Sequence, residues 1–168
     1  MNLAGGRERS GTSVAALVDT NVLAYRFDKR FPAKQVIAAE LLRRGIVERS
    51  VLVPHQAVVE FVSVVTRPAG QKPPLFTLDE ALRQVEHLFS EFPVLYPTEN
   101  TVRTALRGAA LYKLSWHDAH LWAYADERGI ETIWSEEFAD GQWYGRVRVR
   151  DPFRAAVHEA PAAQGASA

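Results

Sequence analysis

The stretch VAALVDTNVLAYRF, Val14 to Phe27, changes character at one residue. Five apolar residues run without a break into Asp19, and Thr20 and Asn21 then open a segment whose apolar residues recur at helical spacing. A short continuous apolar run reads as a strand buried on both faces, and a buried strand feeding a helix is the opening unit of an α/β sheet. Asp19, at the junction, has two readings. Asp is a good helix cap, because its carboxylate accepts hydrogen bonds from the free amides of a first turn. The carboxyl end of a central strand is also where ligands bind in open α/β sheets, so the same carboxylate would face a site.

Outward from this unit the alternation continues. The strand Val14 to Val18 is followed by a helix near Asn21 to Phe27 and a second near Ala33 to Arg44 that stops at Gly45. VLVP, Val51 to Pro54, is a short buried strand, and a helix follows from His55 to Arg67 until the loop PAGQKPP breaks it. Thr77 caps the next helix, with Glu80 three residues on completing a capping box. PVLYP, Pro93 to Pro97, is again a strand. Helices then run from Glu99 to Tyr112 and from Trp116 to Glu127, the second ended by Gly129. ETIW, Glu131 to Trp134, and RVRV, Arg146 to Val149, supply the last strands. Strands separated by helices predict an α/β fold with a mainly parallel sheet of about five strands and helices on both faces. No repeat or linker divides the chain, and the folded domain is expected over 14–154. MNLAGGRERSGTS before it reads as a disordered leader, and residues 155–168, ending APAAQGASA, as a frayed tail.

Composition narrows the function classes. The chain has 168 residues, 47% hydrophobic and 24% charged, which is the make-up of a globular protein with a real core. It contains no cysteine, so a metal would have to be held by oxygen or imidazole, and a reducing cytoplasm is the fitting compartment. No run approaches the length of a membrane span. Twenty basic and twenty acidic side chains cancel, so any positive charge offered to an anion is local. Arg26, Lys29, Arg30 and Lys34 form one such place and Arg146, Arg148 and Arg150 another. Both also read as solvated surfaces, the second as the wet face of an edge strand.

Each acid outside Asp19 has a local explanation. Gln56, Glu60, Ser63 and Arg67 form one polar stripe of an otherwise apolar helix, as a water-facing side would. Ser115 and Asp118 have the spacing of a capping box. Asp140 precedes Gly141, a turn signal. Their joint placement says more. Asp19 follows a strand, Glu60 lies in the helix after the second strand, Asp118 lies in the first turn of a late helix, and Asp140 follows the strand Glu131 to Trp134. In a parallel sheet, strand ends and the helix starts beyond them share one edge, where four acids would converge. A bare cluster of that kind repels itself, and a hard divalent cation, Mg²⁺ or Mn²⁺, relieves the repulsion.

VDTNVLAYRF, VEFVSVVTR, LSWHDAHLWAYA and WSEEFADGQWYGRVRVRDPF, in this order, resemble a PIN-domain ribonuclease, and within that family the VapC-type toxins of toxin-antitoxin pairs. The likeness spans Ala15 to Phe153. It implies a Rossmann-like three-layer fold and Mg²⁺-dependent endonucleolytic cleavage of RNA by a metal-activated water. It places Asp19 and Asp118 as the principal metal ligands, Glu60 and Asp140 as further acids, and Thr20, Asn21 and Ser135 as polar supports. The toxins' last motif often carries Asp where this chain has Glu137, so the fourth acid is Asp140, Glu137 or both, with Asp140 preferred. The resemblance also implies a homodimer and a cognate antitoxin lying next to the acids. Val58, Val59, Val62 and Val65 are read either as part of the dimer surface or as ordinary core.

Two other classes stay open on sequence. One is another Mg²⁺-dependent phosphoryl hydrolase on a similar sheet. A haloacid-dehalogenase-like phosphatase needs a second Asp where Asn21 stands, and a receiver domain needs a late lysine, whereas the last here is Lys113. The other is a PIN-like module that binds RNA or protein without cutting. His117, adjoining Asp118, is a candidate general base, but adjacent helical residues point about 100° apart, so a catalytic role is not expected of it. His55 and His120 have less to recommend them, and Trp116, Trp122 and Tyr124 read as packing.

Overall fold

In the computed structural model the apolar run before Asp19 becomes β1, Ala16–Val18, every residue of it buried. The structure describes residues 15–154, so Val14 and the expectations of a leader over 1–13 and a tail over 155–168 lie outside the described residues. Helix α1, Thr20–Tyr25, follows directly, and α2, Pro32–Glu48, comes after a short turn with its proline at the helix start, where a missing N–H costs nothing. Gly45 does not stop α2 as expected. It lies buried within the helix, and a Cβ there would come within 2.4 Å of Val51 Cγ2. Glycine at this position lets the helix approach the sheet, and the helix ends instead at Arg49 in the left-handed region, φ 52°.

The remaining elements are β2, Val51–Pro54, α3, His55–Val65, α4, Leu78–Glu91, β3, Val94–Leu95, α5, Glu99–Tyr112, α6, Trp116–Arg128, and β4, Thr132–Trp134. The Thr77 and Glu80 capping box forms at the start of α4, and Gly129 ends α6 at φ 66°, both as the sequence predicts. Two strands close the sheet, β5, Trp143–Tyr144, and β6, Val147–Arg150. β5 is absent from the sequence reading because two residues are too few to show alternation.

The sheet order is β3-β2-β1-β4-β6-β5. β1, β2, β3, β4 and β6 are mutually parallel, and β5 adds an antiparallel edge. β6 is therefore an interior strand. The sheet separates two cores. Val18 and Val53 pack with side chains of α1 to α4, while Leu17, Ile133, Val147 and Val149 pack with α5 and α6. Successive residues of β1 thus point to opposite cores, which is why this strand tolerates no polar residue before Asp19. α5 and α6 lie close enough that a Cβ on Gly108 would meet the Trp122 ring at 2.4 Å. On α3, Val58 and Val65 are core, Val62 packs against it, and Val59 is 54% exposed. Among the described residues, no helix is long and apolar enough to cross a membrane.

Candidate active site at the carboxyl edge of the sheet

β1, β2 and β4 run parallel, so their carboxyl ends lie along one edge, followed by Asp19, the start of α3 and the segment Ser135 to Glu137. α6 leads back into β4, which brings its first turn to the same edge. A cavity of about 330 Å³ opens there, lined by Asp19, Thr20, Asn21, Glu60, His117 and Glu137 among others. A larger cavity of about 570 Å³ lies at the opposite edge, against the strand starts Ala16, Val51 and Thr132. Of its two acids Glu40 is paired with Arg43 and Glu48, among the described residues, stands alone beside Ser50, so the converging group of carboxylates without lysine or arginine partners belongs to the smaller cavity.

Asp19 is both a cap and a member of this site. It is 4% exposed, and one carboxylate oxygen accepts from the Thr20 amide at 2.7 Å. That is the first amide of the helix, one short of where an ordinary cap bonds. The other oxygen accepts from the Ser135 hydroxyl at 2.6 Å and the Asn21 side-chain amide at 3.2 Å. Ser135, fully buried, accepts in turn from Asn21 Nδ2 at 3.3 Å and from the Glu137 amide at 3.1 Å. Thr20, Asn21 and Ser135 therefore surround Asp19 or its neighbour. Thr20 is the exception in detail, since its hydroxyl donates to Glu60 Oε2 at 2.8 Å.

No lysine or arginine among the described residues pairs with Asp19, Glu60, Asp118 or Glu137. Burial pushes the Asp19 carboxyl up, against the pull of its Ser135 and Thr20 hydrogen bonds, and the charge of Asp118 pushes it further. Glu137 is exposed as a residue, yet its carboxyl is also raised, first by partial desolvation and then by the charges of Asp19, Asp118 and Glu60. Asp19 and Glu137 thus feel the charge of their acidic neighbours, Asp118 included, although Asp118 does not line the cavity itself. Only half of the expected box at α6 forms. The Asp118 amide donates to Ser115 Oγ at 3.1 Å, while its carboxylate accepts no hydrogen bond among the described residues.

Asp140, the preferred fourth acid on sequence, lies elsewhere. Its carboxylate accepts from the Asp151 amide at 2.9 Å and is paired with Arg154. These two partners hold it below the usual carboxylate range. Asp140 thus ties the loop before β5 to the end of β6, whereas Glu137 reaches the cavity. The reason is the burial of Phe138 in the core beneath α6, which turns its neighbours toward the sheet edge.

Two residues at the site, Gln56 and His117, escaped the sequence reading. Gln56 shares with the expected site acid Glu60 the stripe that also reads as a face turned to water, but both are half-buried against α6. Gln56 Nε2 meets His117 Nδ1 at 2.9 Å and the His117 carbonyl at 3.1 Å, and His117 Nε2 contacts Glu60 Oε1. The i, i+4 spacing put Gln56 and Glu60 on one face, but nothing local said which neighbour that face meets. Trp122 and Tyr124 are core, as read, while Trp116 is 51% exposed. The local cations are largely engaged, Arg26 with Glu91, Arg30 with Asp28 and Lys34 with Glu136.

Among the described residues, no three His, Asp or Glu side chains are gathered tightly enough to hold a metal ion unaided. The donor set nevertheless suits a hard cation, being all carboxylate with no thiolate. Asn21 Oδ1, at the cavity wall, is buried with no hydrogen-bond partner, the mark of a place that takes a water or a cation.

The family model for the PIN domain matches residues 16–138. Solved structures of similar fold include three toxin or toxin-antitoxin structures. The Mycobacterium tuberculosis VapC20 toxin, described as cleaving the sarcin-ricin loop, aligns over 80% of this chain and 99% of its own at 17% identity and TM-score 0.52. A toxin-antitoxin complex from Klebsiella pneumoniae aligns over 82% and 98% at 18% identity and TM-score 0.57. A DNA-bound VapBC complex from Salmonella typhimurium aligns over 83% and 98% at 13% identity and TM-score 0.60. No curated protein sequence matches the chain.

Proposed function

The chain belongs to the PIN domain family, and on that premise we propose that it is a metal-dependent endoribonuclease and the toxin of a toxin-antitoxin pair. The observation that carries this reading is the convergence of Asp19, Glu60, Asp118 and Glu137 at the carboxyl edge of the sheet with no lysine or arginine paired to any of them among the described residues. Four unneutralised carboxylates in one field are costly in the free protein and of use only if a cation or a proton joins them.

Asp19 and Asp118 would hold Mg²⁺ or Mn²⁺, with Glu137 as the fourth acid in place of Asp140. Since Mg²⁺ keeps several waters and takes only one or two carboxylates, the loose spacing of these acids suits it better than a closed shell would. When bound, the ion supplies Lewis acidity at a phosphate oxygen and lowers the pKa of a coordinated water. Ser135 and Asn21 hold Asp19 in one rotamer, facing the cavity. Glu60, fixed by Thr20 and His117, is placed to accept a proton from an attacking water. A cognate antitoxin as partner is supported by the neighbours solved as toxin-antitoxin complexes. Val59 and Val64, 54% and 48% exposed on α3, are apolar surface available to a second copy or to that partner.

The test is cleavage of a structured RNA mixture by the purified protein with Mg²⁺, with Mn²⁺ and with excess chelator, beside Asp19→Asn and Asp118→Asn. Cleavage that needs the metal and both acids is expected. Full activity in chelator, or in either variant, would overturn the reading.

A further inference from the structure

The contacts of Gln56, His117 and Glu60 form a chain whose proton positions follow from one fixed acceptor. A backbone carbonyl only accepts, so the Gln56 atom 3.1 Å from the His117 carbonyl must be the amide nitrogen. That nitrogen also lies 2.9 Å from His117 Nδ1, which makes Nδ1 an acceptor and leaves the ring proton on Nε2. Nε2–H then donates to Glu60 Oε1, while Thr20 donates to Oε2 at 2.8 Å. Both oxygens of Glu60 are thereby held from opposite sides by neutral donors on α1 and α6. A carboxylate has room for about four hydrogen bonds, so acceptor capacity remains toward the cavity.

We propose that His117 is a positioning residue, held by Gln56 as the neutral Nε2–H tautomer so that it fixes the Glu60 carboxylate at the cavity wall. The proposal rests on the ribonuclease reading for its effect on cleavage. It assigns His117 no contact with RNA or metal. Freed of His117, Glu60 would keep only its Thr20 tether and sample other rotamers, so the loss falls on turnover rather than on RNA binding.

Two measurements test it. In the metal-free protein, ¹⁵N-detected imidazole spectra near pH 8, where a free imidazole is neutral, should show His117 as the Nε2–H tautomer. The near-isosteric Gln56→Met, which removes the amide donor, should shift it toward a mixture. In the cleavage assay, His117→Ala should lower kcat by about tenfold or more with KM little changed. His117→Gln, whose amide nitrogen reaches the Nε2 position, should recover most of the rate. An Nδ1–H tautomer in the wild type overturns the proposal. So does wild-type turnover in His117→Ala, or a His117→Gln variant as slow as His117→Ala. If the wild type cuts no RNA, the ribonuclease reading fails, and the spectra alone decide whether the hydrogen-bond chain exists.

Discussion

Replacing Asp118 with asparagine separates a structural acid from a site acid. The variant would keep the helix-capping bond, because that bond runs from the backbone amide to Ser115 Oγ at 3.1 Å and not from the carboxylate. What changes is charge. In the first turn of α6 the carboxylate interacts favourably with the helix dipole, a contribution of about 0.5 kcal/mol. Against this, it repels Asp19 and Glu137, both of which it pushes up. Unit charges ~6 to 8 Å apart at an effective dielectric near ~20 repel by about 2 to 3 kcal/mol. Asp118 is half-buried, so solvent and salt reduce this to roughly 1 kcal/mol per neighbour. The metal-free variant should therefore be more stable than the wild type by roughly 1 to 1.5 kcal/mol, a Tm rise of about 3 to 6 °C. The wild type should gain about 1.4 kcal/mol when Mg²⁺ is raised to about ten times its Kd, and the variant should gain little. Thermal melts of both proteins with and without Mg²⁺, beside the RNA assay, measure all of this. A variant that melts lower without metal and still cuts RNA would show that Asp118 only supports the helix.

Asp140 and Glu137 should part in the same assay. Glu137→Gln is expected to abolish most cleavage, whereas Asp140→Asn should cleave normally and melt slightly lower through the loss of the ion pair with Arg154, its oxygen still accepting from the Asp151 amide; the reverse result would return the fourth acid to Asp140. Gly45→Ala should be destabilised by about 1 to 3 kcal/mol, because the Val51 clash at 2.4 Å outweighs a helix-propensity gain of about 1 kcal/mol; a higher Tm would mean α2 moves freely from the sheet. The metal-free protein should also respond to pH in a definite direction. Asp19 and Glu137 have folded pKa values above their unfolded ones, so their stabilising contribution is complete below about pH 4 and is lost as pH rises through the raised values. Melts at stepped pH should show this decline in the wild type and a shallower one in Glu137→Gln; equal slopes would refute it.

Much of the fold was legible in the sequence because its signals are local. The uninterrupted run before Asp19 marked a central strand, the Thr77 and Glu80 spacing marked a capping box, and Gly129 marked a helix end. Each of these depends on residues within about four positions of one another. The convergence of Asp19, Glu60 and Asp118 was also readable, since parallel pairing puts strand ends and the helix starts beyond them on one edge. Tertiary structure decided what local signals cannot carry. Whether Glu137 or Asp140 faces the cavity depends on Phe138 finding the core and on Arg154 finding Asp140, partners at long range. Gly45 has the sequence appearance of a helix stop, and only the approach of Val51 shows that it is a contact. The stripe of Gln56 and Glu60 looked like a face turned to water because periodicity gives a side chain's direction on its own helix, while the identity of what lies opposite, here His117, is set by how α3 and α6 pack.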